Sequence, residues 1–88
     1  MKQTLKSPEE AVVVSIDKGG RVFVDKVEVP PSELKTKLSA LFVNRTKKEV
    51  FLKADRDVPY GEVVKTMADI KGAGVERLGM VTEPAQRQ

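Results

Sequence analysis

The stretch that decides the fold is residues 49–64, EVFLKADRDVPYGEVV. Residues 49–54 have a nearly continuous apolar centre, which is typical of a central strand that is covered on at least one face. In the turn that follows, Asp57 is a candidate helix N-cap, and Pro59 falls in the first helical turn, where proline is tolerated. The stretch therefore predicts a strand that leads directly into a helix.

Beyond this stretch, apolar residues continue at helical spacing until glycines end the helix. Gly72 and Gly74 are typical helix-stop residues, and residues 76–82 then predict a last strand with alternating faces. Five apolar residues share one helical stripe: Tyr60, Val63, Val64, Met67 and Ile70.

Upstream of this stretch, the chain predicts a hairpin and a first helix. Residues 11–16 and 21–25 are rich in strand formers, and residues 17–20, DKGG, supply turn chemistry between them. Residues 27–29 are a possible extra short strand, and Pro31 or Ser32 can start the helix. Its apolar stripe consists of four residues: Leu34, Leu38, Leu41 and Phe42.

The order of elements is β-β-α-β-α-β, which predicts an α+β fold with a mixed sheet of four or five strands. Crossovers between parallel strands are right-handed, and this tends to put both helices on one face. We expect one domain over residues 11–82, a polar tether over 1–10 and a flexible tail over 83–88.

Composition removes several classes of chemistry. The chain of 88 residues contains no His, no Cys and no Trp, which excludes imidazole acid–base catalysis, thiol nucleophiles and Cys/His zinc sites. No apolar run approaches the ~18 residues of a membrane-spanning helix, and the N-terminus lacks the apolar core of a signal peptide. We therefore expect a binding domain with no metal and no cofactor.

The acidic turn after the third predicted strand allows two interpretations. Asp55 and Asp57 flank Arg56, and two carboxylates at that position suit a metal site or an acid–base pair. The structural alternative, which the missing third oxygen ligand favours, is that Asp57 caps the helix, Asp55 accepts from turn amides and Arg56 neutralises both. Tyr60 is expected to be a core aromatic with its hydroxyl at the rim.

A nucleic-acid-binding module is the competing class of function. The net charge is +3, but acidic and basic residues are interspersed, which is typical of an ordinary solvated surface. Base stacking needs exposed aromatics beside Lys or Arg. Phe42, Phe51 and Tyr60 lie in core-compatible positions, so we expect no nucleic acid partner.

Three segments together resemble the ExbD/TolR family. Residues 52–64, LKADRDVPYGEVV, are similar to its signature, residues 74–84, GVERLGMVTEP, to its closing strand, and residues 14–24, VSIDKGGRVFV, to its opening hairpin. The resemblance implies the periplasmic domain of a single-pass inner-membrane protein. Such proteins work with an ExbB- or TolQ-like partner as a proton-driven motor that energises TonB- or TolA-like proteins. The membrane helix and its proton-binding Asp are absent from these residues, so we expect an excised domain with Met1 added for expression.

The resemblance and the predicted sheet together suggest a docking role rather than catalysis. We expect a homodimer whose free sheet edges pair with each other and with an extended partner segment, and an association with peptidoglycan as in TolR-like members. The first strand and the last strand are the candidate edges, through Val12, Val13, Val14, Ile16, Leu78, Met80 and Val81. The turn at the docking surface consists of Asp55, Arg56, Asp57 and Tyr60.

Overall fold

The computed structural model describes residues 11–82; the predicted tether, 1–10, and tail, 83–88, lie outside this range. The expected elements are present, and the possible short strand at Val27–Val29 is a fifth strand. The strands are β1 Val12–Ile16, β2 Val22–Val24, β3 Val27–Val29, β4 Glu49–Ala54 and β5 Arg77–Thr82. The helices are α1 Leu34–Phe42, which follows a 3₁₀ turn over Pro31–Glu33, and α2 Tyr60–Gly72. Within the described range, neither helix is long and apolar enough to cross a membrane.

The five strands form one mixed sheet in the order β3-β2-β1-β4-β5. The β1–β2 and β2–β3 pairs are antiparallel, whereas β4 lies parallel to both β1 and β5. The prediction of an α+β fold with a mixed sheet is confirmed, and so is the internal position of β4.

The prediction that β1 is a sheet edge is wrong. The crossover through α1 returns the chain beside β1 rather than beyond the hairpin, so β1 lies between β2 and β4. Both sides of its backbone are therefore occupied by neighbouring strands, and Val12, Val14 and Ile16 are buried. Val13 lies on the opposite face of the sheet and is 37% exposed.

Both helices cover the same face of the sheet. The crossovers from β3 to β4 through α1 and from β4 to β5 through α2 step in the same direction along the sheet, so right-handed connections leave both helices on one side. The buried residues of neighbouring strands are in register, as Val12 with Val50 and Val14 with Leu52. They form one core with Leu34, Leu38 and Phe42 of α1 and with Val63 and Ile70 of α2. The other face of the sheet carries no helix of the described residues.

The apolar stripe predicted for α2 is partly wrong. Val63 and Ile70 are buried as expected, but Val64 is 45% exposed and Tyr60 is 76% exposed. Thr66 takes the intervening core position, and its Oγ1 donates to the Glu62 carbonyl at 2.9 Å, which satisfies the buried hydroxyl. Tyr60 is therefore a surface residue and not the core aromatic that the spacing predicted.

The turn between β2 and β3 contains two non-glycine residues with positive φ. Asp25 has φ 48° and Lys26 has φ 79°. Asp25 fits this position because its N–H donates to the Val13 carbonyl and its Oδ1 accepts the Val13 N–H, at 2.8 and 3.0 Å. Lys26 makes no comparable bond in the described structure, so its backbone conformation carries uncompensated strain.

On the open face of the sheet, the ring of Phe51 lies over Gly79. A Cβ built on Gly79 would lie 2.6 Å from Cδ1 of Phe51, so only glycine accommodates the ring where it stands. The two residues are register partners on β4 and β5. Phe51 is 37% exposed on this face, which corrects the expectation that it belongs to the core.

Replacing Lys26 with glycine should stabilise the domain, because glycine accepts positive φ without a Cβ penalty. We expect a gain of about 0.5–1 kcal/mol, which corresponds to a rise of about 2–8 °C in Tm by circular dichroism. The control is Lys18→Gly, at an exposed turn residue that has no positive φ. An equal rise in both variants would contradict the strain at Lys26.

Replacing Gly79 with alanine should destabilise the domain by about 1–2 kcal/mol, because the Phe51 ring must leave its position. In a Phe51→Ala background the same change should cost little, so a double-mutant cycle should give a coupling of at least about 0.5 kcal/mol. Chemical denaturation of the four proteins measures this coupling. Additive effects would show that the ring and Gly79 are energetically independent.

Candidate functional site

The two edges of the sheet differ in how well they can accept another strand. β3 has three residues, and Pro30 and Pro31, which lack backbone N–H donors, follow it immediately. Because Val27 and Val29 face β2, the backbone groups that point outward from β3 belong to the charged residue Glu28. Short length, proline and charge are the usual protection of a sheet edge.

The other edge, β5, has none of these protections at the described residues whose backbone groups point away from β4. It has six residues, contains no proline and continues the parallel ladder from β4. The Arg77 N–H donates to the Lys48 carbonyl at 3.2 Å, so the N–H groups of 77, 79 and 81 face β4. The N–H and C=O groups of Leu78 and Met80 therefore point to the free side.

The acid–base–acid turn joins β4 to α2 and is fastened to the centre of the sheet. The Asp55 N–H donates to the Ile16 carbonyl at 3.0 Å, and the Asp55 carbonyl accepts the Val58 N–H at 3.0 Å. Its Oδ1 accepts the Asp57 N–H at 2.9 Å. The expectation that Asp55 accepts from turn amides is therefore confirmed.

The other roles predicted inside this turn are wrong. The N-cap of α2 is Pro59, and no side chain caps the helix; the Pro59 carbonyl instead accepts the Glu62 and Val63 N–H groups, at 3.0 and 3.3 Å. Asp57 lies too early in the chain to reach these donors. Across residues 11–82, Arg56 forms no ion pair with either aspartate, and both Arg56 and Asp57 are exposed.

The structure brings together one group of the predicted site residues and separates another. Ala54 pairs with Thr82, so the turn with Asp55, Arg56 and Asp57 lies at the same end of the sheet as the end of β5. Tyr60 opens α2 beside this turn. The four residues of β1, by contrast, lie two strands away from the free edge.

A shallow cavity of about 170 Å³ lies where β1 and β4 end, and its acidic side chains accept hydrogen bonds from backbone N–H groups of their own turns. Its walls include Asp17, Lys53 and Asp55. Asp17 accepts the N–H groups of Gly19 and Arg21, and the Arg21 Nε–H, each at 2.9 Å. Asp55 accepts the Asp57 N–H through its Oδ1, so both carboxylates of the cavity take part in hydrogen bonds within their own turns. Over residues 11–82 there is also no group of three or more acidic residues placed to hold a metal.

The sequence did not indicate that α2 carries exposed and partly buried apolar residues outside its contact with the sheet. Val64 is half exposed on α2, and Met67 is only partly buried. The available signal was the width of the predicted α2 stripe, which is broader than the arc that one helix buries on a sheet.

Comparison with known proteins assigns the chain to a family. The family model described as biopolymer transport protein ExbD/TolR matches residues 2–85. The chain belongs to the ExbD/TolR family. This finding confirms the resemblance based on the DRDVPYGE stretch.

Members of both branches of the ExbD/TolR family are similar to this chain. Biopolymer transport protein ExbD of Pseudomonas aeruginosa is 40% identical over 91% of this chain and 62% of its own length. Tol-Pal system protein TolR of Escherichia coli is 31% identical over 68% of this chain and 43% of its length. ExbD of E. coli is 29% identical over 86% of this chain and 54% of its length. The chain thus spans roughly half the length of these relatives.

The Asp17 turn should make stability depend on pH in the acid range. The hydrogen bond from the Arg21 N–H, with further contributions from its guanidinium and the Gly19 N–H, lowers the pKa of Asp17 below its usual 3.8 despite some desolvation. A folded pKa below the unfolded one stabilises the fold when the carboxylate is ionised, and this contribution is lost as pH falls below about 4. Denaturation midpoints between about pH 2 and pH 6 should therefore fall more steeply for the wild type than for Asp17→Asn. Parallel curves would rule out this role.

Proposed function

We propose that this domain is the periplasmic part of an inner-membrane ExbD/TolR-type subunit of a proton-driven motor. In this proposal an ExbB- or TolQ-like protein is its membrane partner, and the motor energises a TonB- or TolA-like protein for outer-membrane transport or envelope integrity. The domain itself carries out no proton chemistry. Its role is to bind segments of partner proteins on the periplasmic side of the membrane.

The free edge of β5 is the observation that carries the proposal. It offers a row of outward-facing backbone groups at Leu78 and Met80, while the opposite edge is protected by Glu28 and two prolines. An extended segment that adds to an open sheet edge gains main-chain hydrogen bonds whatever its side chains are. A domain with one protected and one unprotected edge is suited to capturing one strand at a defined place.

The turn that contains Asp55, Arg56 and Asp57, called the DRD turn below, supports the proposal that docking occurs at the β5 edge. Asp55 ties the turn to Ile16 in the centre of the sheet, so the C-terminal end of β5 lies next to a fixed piece of backbone. Arg56, Asp57 and Tyr60 are exposed there, within reach of a segment that extends past the end of β5. We propose that they form the polar end of the docking surface.

We also propose that the domain forms homodimers and binds peptidoglycan. Two copies held side by side by the membrane partner would place their β5 edges near each other, where they can pair or receive a partner strand. Sedimentation equilibrium of the chain measures self-association. Peptidoglycan association is proposed from the similarity to TolR, and cosedimentation with purified sacculi tests it.

The edge can be tested by removing a single outward-facing donor. Met80→Pro deletes an N–H that points away from β4, so the β4–β5 ladder remains intact while strand addition is blocked. We expect at least about tenfold weaker binding to overlapping synthetic peptides from the TonB- and TolA-like proteins of the same bacterium. Titration calorimetry measures the affinities.

The matched control is Glu28→Pro, which deletes the outward-facing donor of the protected edge. It should leave peptide binding unchanged. Circular dichroism establishes that both variants fold. Full binding by folded Met80→Pro, or equal loss in both variants, would contradict docking at β5.

A further inference from the structure

The flank of α2 that faces α1 can be identified from its contacts. The Ser39 Oγ donates to the Ala73 carbonyl at 3.5 Å, and the Lys35 side chain lies 3.2 Å from a Cβ built on Gly72. Earlier in α2, Glu62 and Asp69 border a narrow gap against β2 and the start of α1. These α2 residues therefore lie on the α1 side of the helix.

Over its first two turns, the opposite flank of α2 is apolar, and the exposed Lys71 follows it near the end of the helix. At about 100° per residue, residues 60, 64 and 67 lie across the helix axis from residues 62 and 69. Because α2 contacts β4 and the sheet continues from β4 to β5, the flank away from α1 faces the β5 side. It presents Tyr60 and Val64, which are 76% and 45% exposed, together with the partly buried Met67.

The strand below this flank is incompletely covered. On the helix face, Leu78 and Met80 continue the rows of Val50 and Leu52. Val50 and Leu52 are fully buried, whereas Met80 is 43% exposed. The helix layer therefore ends before the sheet does. This step between α2 and β5 leaves an apolar shelf, which consists of Tyr60, Val64, Met67, Leu78 and Met80.

The shelf and the outward-facing backbone belong to the same residues. Leu78 and Met80 direct their N–H and C=O groups to the free side and their side chains to the helix face. In a strand pair, residues directly opposite each other place their side chains on the same face. The residues of an added strand that lie directly opposite Leu78 and Met80 therefore place their side chains on the shelf.

We infer that the shelf selects an extended partner segment with apolar residues at every second position. This inference rests on the proposed docking at β5 and adds its side-chain specificity. Apolar residues at alternate positions cover Met80 and Val64 and extend the core by one strand. The residues between them face the open side of the sheet, where polar side chains remain in water.

The size of the edge favours a peptide segment over a second folded copy. Six residues of strand extend about 20 Å, and neighbouring strands are about 4.8 Å apart, so one added strand covers roughly 100 Å² of the sheet. A stable complex of folded domains needs about 800 Å² on each partner. Edge pairing between two copies leaves the shelf only partly filled, whereas a flexible segment can lie along both the edge and the shelf.

Two substitutions on one strand test the choice of face. Met80→Asp places a charge on the shelf, and Val81→Asp places the same charge on the open face, at similar exposures of 43% and 47% in the wild type. We expect the best-binding peptide from the TonB- or TolA-like protein to bind Met80→Asp at least about tenfold more weakly, and Val81→Asp less than about threefold more weakly. Equal losses overturn the inference.

A second pair of variants avoids β5 altogether. Val64→Asp alters the helix side of the shelf, and its control Val43→Asp alters the 77% exposed residue just after α1. Only Val64→Asp should weaken peptide binding, with both variants folded by circular dichroism. Unchanged binding by folded Val64→Asp shows that the shelf is not used.

The peptide itself provides the last test. Replacing each position of the best-binding peptide with Asp in turn should give losses of affinity that alternate along its sequence. If peptides bind but the losses do not alternate, the inference is wrong and docking at β5 stands. If Met80→Asp abolishes self-association but leaves peptide binding intact, the shelf belongs to a second copy. If no peptide binds the wild type, the proposed function itself fails, and the inference fails with it.

Discussion

The parallel pairing of β1 with β4 is the constraint on which the rest of the structure depends. Val12 to Ile16 lie in register with Val50 to Ala54, so two apolar strands stack their buried residues under the same pair of helices. This pairing puts β1 in the centre of the sheet and leaves the next strand, β5, on the outside. It also places the Ile16 carbonyl where it accepts the Asp55 N–H, which fixes the DRD turn.

Two helices are not wide enough to cover five strands, and this mismatch leaves apolar side chains of the sheet partly exposed. Neighbouring strands are about 4.8 Å apart, and helices pack about 8–10 Å apart, so the helix layer ends over the outer strands. At β5 the consequence is that Met80, on the helix face of the sheet, is 43% exposed. On the uncovered face, Phe51 finds its packing surface on Gly79 instead of a helix.

The unequal edges connect the fold to the proposed docking of a partner strand. A sheet edge that must not pair with another strand is usually short, charged or followed by proline, and β3 has all three features. Over the described residues, the outward-facing positions of β5 have none of them, although an unprotected strand invites aggregation. A domain of the ExbD/TolR family that captures a partner strand has a reason to keep such an edge. In this view affinity comes from backbone hydrogen bonds and specificity comes from the step between β5 and α2.

The sequence by itself determined the elements and the family. Alternating and helical apolar spacing predicted the strands, both helices and the α+β class, because these periodicities are local properties of the chain. The DRDVPYGE stretch pointed to the ExbD/TolR family for the same reason, since a motif is read from neighbouring residues. The short strand at Val27–Val29 was also anticipated, as a possible fifth strand.

Only the tertiary structure decided which strand is an edge and which side of α2 is free. Strand order depends on where a crossover returns, so β1 and β5 were equally good edge candidates in the sequence, and β1 was the wrong one. Tyr60 and Val64 shared the apolar spacing of Val63 and Ile70, but a helix on a sheet buries a single arc, and their angle lies outside it. Local spacing gives the faces of each element, whereas exposure depends on which neighbours the fold provides.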